Sequence, residues 1–432
     1  MRSIRVVTYE HEQLVVGCPV NLQGGGQTEF TEAHFEVLAR YCGRQEAPPF
    51  RLGHRTIIIG HHVGYLRVGP VTLQIYPKLR RQQDADWRGL LLDMLRVVKG
   101  VRLRAQELAG LDARNGDLYE VLVRRFVVAT QALLREGLAR SYREIEDNGN
   151  AFRGRLLVTQ HLRHNHVRQE RLYVAYEVHD ADNLHNRILR RALERVKRTT
   201  TSATLRLDAE ATATAFPDEV AETAILPGEW STALNLDRRT ERYREALELA
   251  RMILSDERPD LRWGERETVA LLFDMNALFE RYVEEALRGL PGVRVASQVR
   301  RTFWTPSAGQ AHVARPDILL FANGETTPVI IDAKWKSPEG GRMSDADLRQ
   351  LFAYLHAFGG TRGALVFPRA HPDQRDDRGL FLGGPLEGRV LFVDLFSQDK
   401  PDLRALGDSL ATALLTEAED KVGKNTKSVS IQ

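Results

Sequence analysis

The sequence predicts a multidomain α+β protein, in which an N-terminal β-rich module with a helical arm precedes a C-terminal α/β domain. Three observations support this prediction. Short β-branched runs of alternating polarity, punctuated by Gly and Pro, fill most of residues 1–80. Apolar residues then recur at helical spacing from about residue 86, and the last third orders its elements as α-β-β-β-α-β. A chain of 432 residues is long enough for two or three such domains.

These patterns divide the chain into four segments. They are a β-rich module (1–80), a helical arm with a connecting region (81–260), a C-terminal α/β domain (261–400), and a C-terminal helix with a disordered tail (401–432). Within the first two segments the patterns predict strands in RTIIIG and VGYLRVGPVTLQIYPKL, a helix over 31–43, helical structure over 86–142, a turn at Asp147–Asn150 and a helix from Asn183. The Thr- and Ala-rich residues 199–215 fit either a loop or a weak helix.

The C-terminal domain has the clearest element order. A helix is predicted over 268–288, ended by Gly289 and Pro291, and Ser344 is predicted to cap a second helix, with Asp347 completing a capping box and Gly359 ending it. The predicted strands are VRVASQVRRTF, RPDILLF, PVIIDAKWK, 364–368 and 388–395.

Composition excludes several classes of protein. With 43% hydrophobic and 28% charged residues, the chain is neither wholly disordered nor collagen-like. A net charge of +3 means that any nucleic-acid site must be local. Cys18 and Cys42 provide neither a disulfide framework nor a zinc cluster, as expected in a reducing cytoplasm. The N-terminus has no apolar signal core and no run approaches a membrane span, so we expect a soluble intracellular protein.

Two carboxylates and an ammonium converge at the end of a predicted hairpin. Asp332 and Lys334 are two residues apart in a strand and share a face. If the hairpin turns on Asn323–Gly324, Asp317 pairs with Ile330; if it turns one residue later, Asp317 pairs with Asp332. Either register directs Asp317 to the side of Asp332 and Lys334.

Such a set suits metal-dependent hydrolysis of a phosphodiester, which needs converging carboxylates and a positive group. The plainer interpretation is a solvated salt bridge at a sheet end, which an isolated D-x-K sequence usually is. The α-β-β-β-α-β context favours the nuclease interpretation.

This stretch resembles the PD-(D/E)xK nuclease superfamily, and its segments RPDI, IIDAKWK and QLFAY are similar to those of the McrC family, the nuclease subunits of modification-dependent restriction systems. Further segments resemble McrC landmarks in the expected order: FRGRLLVTQHL, DNLHNRILRRAL and MNALFERYV. The resemblance covers most of residues 30–400. It implies that residues 261–400 form a restriction-endonuclease-like domain with an αβββαβ core.

The resemblance also implies roles for individual residues. Asp317 and Asp332 would hold Mg²⁺, for which Mn²⁺ could substitute, and Lys334 would orient the attacking water or stabilise developing charge. Glu280 matches the helix acid that completes such sites, although a Glu on an amphipathic helix is usually only solvated.

Other candidates lie nearby. Gln350 and Tyr354 share one helix face and resemble a Q-x-x-x-Y motif found near the metal, although they could equally form a polar edge. Trp335 and Lys336 could contact the DNA backbone, but Trp335 faces away from the site and is expected in the core.

The partners implied are double-stranded, modified DNA and a McrB-like AAA+ hexamer that hydrolyses GTP or ATP, contacted by residues 81–260. Arg153 and Arg155 flank Gly154 and are candidates for activating that motor, although plain surface arginines are equally compatible. Two alternatives stay open: a non-catalytic subunit that stimulates the motor, and a stand-alone DNA repair nuclease.

Two further patterns are set aside. QGGGQ at 23–27 lacks the G-K-[ST] of a phosphate loop. His161, His164 and His166 lack the ordered spacing of a zinc site and are expected at the surface, in a basic region that fits either a solvated loop or a contact with phosphate or an acidic partner.

Overall fold

The computed structural model describes residues 3–45, 48–79, 87–99, 118–168, 170–226, 228–255, 262–263, 266–307, 309–322, 324–338, 343–382, 385–395 and 402–415. The chain forms two compact units, of which the first contains Met1–Tyr76 and Lys99–Phe273 and the second contains Pro77–Val98 and Asp274–Gln432. The prediction of a mixed α+β protein is confirmed. The finer division into four segments stays a prediction.

The strands are β1 (Ile4–Tyr9), β2 (Gln13–Val15), β3 (Pro19–Leu22), β4 (Gln27–Glu29), β5 (Phe50–Gly53), β6 (Thr56–Ile59), β7 (His62–Val68), β8 (Val71–Tyr76), β9 (Ser141–Gly149), β10 (Arg155–Leu156), β11 (Leu172–Asp180), β12 (Arg262–Trp263), β13 (Arg266–Glu267), β14 (Val269–Asp274), β15 (Val293–Ser297), β16 (Arg301–Trp304), β17 (His312–Ala314), β18 (Ile318–Ala322), β19 (Val329–Ala333), β20 (Arg362–Pro368), β21 (Asp377–Leu380) and β22 (Glu387–Val393).

The α-helices are α1 (Glu32–Cys42), α2 (Trp87–Lys99), α3 (Leu118–Glu136), α4 (Val158–His164), α5 (Leu184–Thr199), α6 (Ala203–Thr214), α7 (Glu229–Ala233), α8 (Arg244–Leu254), α9 (Met275–Arg288), α10 (Asp345–Phe358) and α11 (Leu403–Leu415), with a 3₁₀ turn at Glu241–Tyr243. No helix within the described ranges is long and apolar enough to cross a membrane.

The N-terminal sheet has the strand order β14-β7-β8-β1-β3-β4, beside a three-stranded sheet of β2, β6 and β5. Helix α1 buries Val37 and Leu38 in the shared core, as its predicted position requires. The helix predicted over 268–288 is wrong in its first residues, because these form strand β14 and complete this sheet. The helix begins only at Met275 and is capped by Asp274. The close pairing depends on Gly64, where a Cβ would lie 2.0 Å from the Leu271 carbonyl oxygen.

A long antiparallel ribbon follows α3. Strands β9 and β11 pair from Ser141 opposite Asp180 to Gly149 opposite Leu172. The predicted turn at Asp147–Asn150 is therefore wrong over most of its length. Asn148 has a turn-forming side chain, yet its amide exchanges hydrogen bonds of 3.0 and 2.8 Å with the amide of Asn165, which holds it in the strand.

The first helix after the ribbon begins where the sequence predicts, and the second decides between the two structures that residues 199–215 fit. Asn183 caps α5 by accepting a hydrogen bond from the Asn186 amide, and α6 shows that residues 199–215 are mostly helical. Part of the predicted helical stretch over 86–142 lies outside the described residues, and its last residues enter strand β9.

The sheet of the second unit has the strand order β15-β18-β19-β20-β22-β21. Strands β15, β18 and β19 are antiparallel, whereas β19, β20 and β22 are parallel. Helix α10 packs Leu351 and Leu355 against apolar residues of the strands. The helices and strands α9, β15, β18, β19, α10 and β20 follow one another in that order, interrupted by a hairpin of β16 and β17.

Two predicted elements of this unit differ from the structure. The strand predicted as VRVASQVRRTF is broken at Gln298, whose φ of 56° is left-handed, so that β15 ends at Ser297 and β16 begins at Arg301. Ser344 caps α10, but Asp347, predicted to complete a capping box, pairs with Lys336 instead. The predicted tail and Asn323 of the predicted turn lie outside the described residues.

Candidate active site

The register of β18 and β19 brings the predicted carboxylates together. Ile318 pairs with Ile331, so the next position along each strand sets Asp317 opposite Asp332, which is the second of the two registers considered. Asp317 Oδ2 accepts a hydrogen bond of 2.8 Å from the Ala333 amide. Lys334 lies on the same side of β19 as Asp332, and its Nζ is 2.7 Å from Asp332 Oδ2.

Asp332 lies in the interior of the sheet. Strand β19 is buried along its whole length between β18 and β20, and the Asp332 side chain is 2% exposed. Its Oδ2 forms a close ion pair with the Lys334 ammonium, which is the only positive group of the described residues that contacts it. A buried carboxylate of this kind is stable only when it is paired with a cation or bound to a metal ion.

The electrostatics of the site are dominated by burial and by repulsion between carboxylates. Burial, the largest cause, and the charges of Asp332 and Glu280 together raise the pKa of Asp317 to about 8. Burial lowers the pKa of Lys334, but the attraction of Asp332 and Asp317 outweighs this and leaves the pKa above its usual value. The ammonium therefore stays charged at neutral pH.

A chain of hydrogen bonds orients that ammonium. Lys334 Nζ donates to Gln350 Oε1 at 3.0 Å, and Gln350 Nε2 donates to the Tyr354 hydroxyl at 2.7 Å. The two α10 residues are one turn apart and meet on the same face, as the sequence predicts. Burial raises the pKa of Tyr354, which keeps the hydroxyl protonated.

Glu280 reaches the site from α9 and is held by a residue that the sequence did not single out. Gln298 Nε2 donates a hydrogen bond to Glu280 Oε1, and the Gln298 amide donates to the Asp317 carbonyl at 3.2 Å. Burial raises the pKa of Glu280. Gln298 thus links the helix carboxylate to the strand that carries Asp317. No pattern in the sequence marks it, because Gln has no special preference for the left-handed backbone that it adopts here.

The carboxylates present suit a divalent cation bound by few protein ligands. Among the described residues, no three His, Cys, Asp or Glu side chains are close enough together to hold a metal ion as they stand. The predicted ligand set of Asp317, Asp332 and Glu280 is therefore not assembled as a three-carboxylate cluster. Mg²⁺ needs only one or two carboxylates, completed by waters and substrate phosphate. The burial of both carboxylates and the repulsion between Asp317 and Asp332 fit such an ion.

The residues that follow Lys334 have structural contacts. Trp335 is buried with its ring 5.6 Å from that of Phe279, so the prediction that it belongs to the core is confirmed. Lys336 Nζ bonds Asp347 Oδ2 at 2.6 Å. Lys336 thereby ties the end of the β19 segment to the first turn of α10.

The two candidate motor-activating arginines lie in the first unit. Arg155 is in β10 and forms an ion pair of 2.9 Å with Glu144, in which the side chains are 71% and 56% exposed. Arg153 is exposed and lies over the Tyr176 ring at 5.9 Å from its centre. Between them Gly154 has a φ of 63°, and a Cβ there would lie 2.3 Å from the Ala175 carbonyl oxygen. Only Gly can make this turn.

The patterns set aside in the sequence have structural explanations. The Tyr173 amide donates a hydrogen bond to His161 Nδ1 at 3.4 Å, and His164 stacks on the Tyr173 ring, so these two histidines hold α4 to the ribbon. Gly24, Gly25 and Gly26 of QGGGQ all have positive φ in the turn that joins β3 to β4.

Comparison with known proteins places the chain among restriction-system components. The profile of the family described as McrBC 5-methylcytosine restriction system component matches residues 57–368. No curated protein matches the sequence. A chain of the refined half-complex from the tetradecameric assembly of Thermococcus gammatolerans McrB AAA+ hexamers with bound McrC has the same fold, with a TM-score of 0.64 and 22% identity over 95% of this chain and 100% of that one. A chain of the cryo-EM structure of the Thermococcus gammatolerans McrBC complex gives a TM-score of 0.47 and 23% identity, covering 66% of this chain and 87% of that one.

Proposed function

This chain belongs to the family of McrBC 5-methylcytosine restriction system components, and we propose that it is the McrC-type nuclease subunit, a metal-dependent endonuclease that cuts double-stranded DNA. One observation carries the proposal: Asp317 and Asp332 lie opposite each other on adjacent strands, and the Lys334 ammonium is 2.7 Å from the buried Asp332 Oδ2. That set, on an α-β-β-β-α-β unit, supports assignment to the PD-(D/E)xK superfamily.

Each residue has a role that follows from its contacts. Asp317 and Asp332 would hold Mg²⁺ or Mn²⁺, which supplies positive charge to polarise the scissile phosphate. Lys334 orients the attacking water and stabilises the charge that develops on the phosphate, since its pKa keeps it cationic. Gln350 fixes the position of Nζ, and Tyr354 fixes Gln350.

Glu280 has a supporting role in the same proposal. Its charge raises the pKa of Asp317, so the two carboxylates are close enough to interact. Gln298 keeps Glu280 pointed toward the strand pair. Glu280 would add negative charge beside the metal that Asp317 and Asp332 would hold.

Replacing a single oxygen by nitrogen tests the site. Asp332→Asn keeps the shape of the side chain but removes the charge, so we expect it to abolish nicking of duplex DNA in Mg²⁺ and to leave the melting temperature close to that of the wild type. Asp345→Asn is the matched control, because Asp345 begins α10 and is 83% exposed. Nicking by Asp332→Asn at the wild-type rate would show that the carboxylate is not part of a catalytic site.

We further propose that the chain works with a AAA+ hexamer, hydrolysing GTP or ATP, that brings it to modified DNA. Support comes from the family and from the similar chain, whose structure has McrC bound to McrB AAA+ hexamers. The ribbon of β9–β11, with exposed Arg153 and Arg155, is the part of the first unit that best fits a contact with a nucleotide-binding motor.

A purely structural subunit that only stimulates the motor is the main alternative. It would have no use for two interacting carboxylates and a cation in the interior of a sheet, an arrangement that destabilises a fold unless it binds something. A stand-alone repair nuclease would leave the large first unit without a role. The charged set therefore favours the nuclease.

A further inference from the structure

The hairpin of β16 and β17 is an extension of the strand pair that carries Asp317. Ser297 pairs with Ile318 in the central sheet, and Arg301 pairs with Ala314 in the hairpin, with three residues between these pairs on each strand. Equal spacing means that both strands continue in one register through the break. The hydrogen bond from the Gln298 amide to the Asp317 carbonyl closes the base of the hairpin.

Large aromatic side chains on this hairpin face solvent. Phe303 is 56% exposed and Trp304 is 54% exposed. Trp304 contacts the His312 ring edge to face at 4.9 Å, which gives the tip a defined aromatic surface. Exposed aromatic side chains gathered on one small element mark a contact surface more often than chance exposure does.

The charge of the segment is entirely positive. No residue from Val293 to Pro316 is acidic, whereas four are arginine: Arg294, Arg300, Arg301 and Arg315. The Arg300 and Arg301 side chains are exposed and form neither a hydrogen bond nor an ion pair with another described residue. Arg315, by contrast, lies near enough to Glu280 to lower the pKa of that carboxyl.

The position of the hairpin ties this surface to the candidate site. Its base is Asp317 itself, and both of its strands lie beside α10, which carries Gln350 and Tyr354. Strand β16 (Arg301–Trp304) begins three residues after Gln298, whose amide bonds the Asp317 carbonyl.

We propose that this segment, residues 299–307 and 309–315, called here the aromatic hairpin, holds duplex DNA against the carboxylate site. Arg300 and Arg301 bind backbone phosphates, and Phe303 and Trp304 pack against sugars or bases beside the scissile phosphate. The proposal rests on the proposed function, since it takes DNA as the substrate. A polyanion is favoured over a protein partner because the segment combines unpaired arginines with a complete lack of acidic residues.

Binding without cleavage tests the aromatic hairpin. The 432-residue chain is titrated against a fluorescent DNA duplex in EDTA, and the dissociation constant is measured over a range of salt concentrations. For Arg300→Glu with Arg301→Glu we expect binding at least about 10-fold weaker and a salt slope reduced by roughly two, because each lost phosphate contact removes about 0.9 from the slope. For Phe303→Ala with Trp304→Ala we expect about 10-fold weaker binding with the slope unchanged.

Matched controls lie at the other edge of the same sheet. Arg375→Glu and Leu382→Ala alter an exposed arginine and an exposed apolar residue near β21, the strand farthest from β15 in the sheet order. Their dissociation constants should equal that of the wild type. Circular dichroism and thermal unfolding check that the variants are folded, and we expect all of them to be, since the substituted side chains are exposed.

The outcomes separate this inference from the proposed function. Hairpin variants that bind duplex as tightly as the controls would overturn the inference. Hairpin variants that keep duplex binding but lose binding to a AAA+ ring would also overturn it, because the hairpin would then be a protein contact. Asp332→Asn should retain hairpin-dependent binding. Hairpin-dependent binding by a wild-type chain that never nicks modified duplex DNA in Mg²⁺, even with a McrB-like ring and its nucleotide, would refute the nuclease and leave the inference standing.

Discussion

At the scale of single residues, the charges of the candidate site do not balance. Asp317, Asp332 and Glu280 supply three carboxylates, while the Lys334 ammonium is the cation that approaches Asp332 directly. The excess negative charge is relieved in one of two ways: a proton on Asp317, which its raised pKa favours, or a bound divalent cation. Proton and metal therefore compete for the same carboxylate.

That competition predicts how stability depends on pH without metal. The unfolded chain releases the Asp317 proton near pH 4, whereas the folded chain keeps it until about pH 8. The protonated Asp317 thus stabilises the folded protein fully below about pH 4, and this stabilisation is lost as pH rises to about 8. Asp317→Asn should remove this loss, so that in EDTA its melting temperature exceeds that of the wild type by a margin that grows from pH 5 to pH 8 and then stays constant.

Thermal unfolding followed by circular dichroism measures this margin, and Asp345→Asn is the control whose curve should parallel the wild type. Adding Mg²⁺ at pH 8 should raise the melting temperature of the wild type more than that of Asp317→Asn, because only the wild type keeps both carboxylates. A margin that does not change with pH would mean that Asp317 is ionised in the folded protein.

At the scale of elements, the sequence predicts those features that depend on residues close together in the chain. The two registers considered for the β18–β19 hairpin both directed Asp317 toward Asp332, because side chains alternate along a strand whatever the turn. Strand β14 could not be recognised, since its apolar residues fit a helix equally well and its partner β7 is far away in the chain. No sequence pattern predicts the break at Gln298, because nothing in its side chain favours a left-handed backbone.

The ribbon of β9–β11 leads to the prediction about the motor. The ion pair between Arg155 and Glu144 is exposed on both sides, and such pairs contribute at most about 1 kcal/mol, so Arg155 can leave Glu144 for a phosphate. With a McrB-like ring saturated by this chain, Arg155→Ala or Arg153→Ala should lower stimulated nucleotide hydrolysis on the order of 100-fold while ring binding changes little.

Arg163→Ala is the control for this experiment, because Arg163 is exposed on the neighbouring α4. Hydrolysis is measured as phosphate release and ring binding by sedimentation. Undiminished hydrolysis in both ribbon variants would assign the activating group to another residue. A parallel loss of ring binding would make the arginines docking residues instead.

At the scale of the whole molecule, the chain does not divide at one point. Strand β14, beyond the predicted boundary at 260, completes the sheet of the first unit, and Pro77–Val98 belongs to the second unit although it precedes most of the first. Periodicity alone could not reveal this exchange, because it identifies α2 as an amphipathic helix without identifying what its apolar side packs against.

The exchange predicts that residues 274–415 depend on α2. Leu91, Met94 and Leu95 of α2 are buried. Burial, and after it the charge of Asp93 in α2, raise the pKa of Tyr282 in α9 to about 12, so the two helices are close to each other. Burying three such side chains contributes on the order of 5 kcal/mol, which is comparable with the whole stability of many domains. A fragment of residues 274–415 should therefore unfold at a clearly lower urea concentration than a fusion of 77–98 to it through a flexible linker.

Urea unfolding monitored by circular dichroism compares the two proteins, and the fusion carrying Leu91→Asp with Met94→Asp is the matched control. That control has the same length and linker but cannot bury the apolar side of α2, so its unfolding midpoint should fall to that of the bare fragment. The intact fusion should also recover duplex nicking in Mg²⁺ if the second unit carries the catalytic site. Equal midpoints for the fragment and the fusion would show that α2 contributes nothing to this unit and that the boundary between the units lies after it.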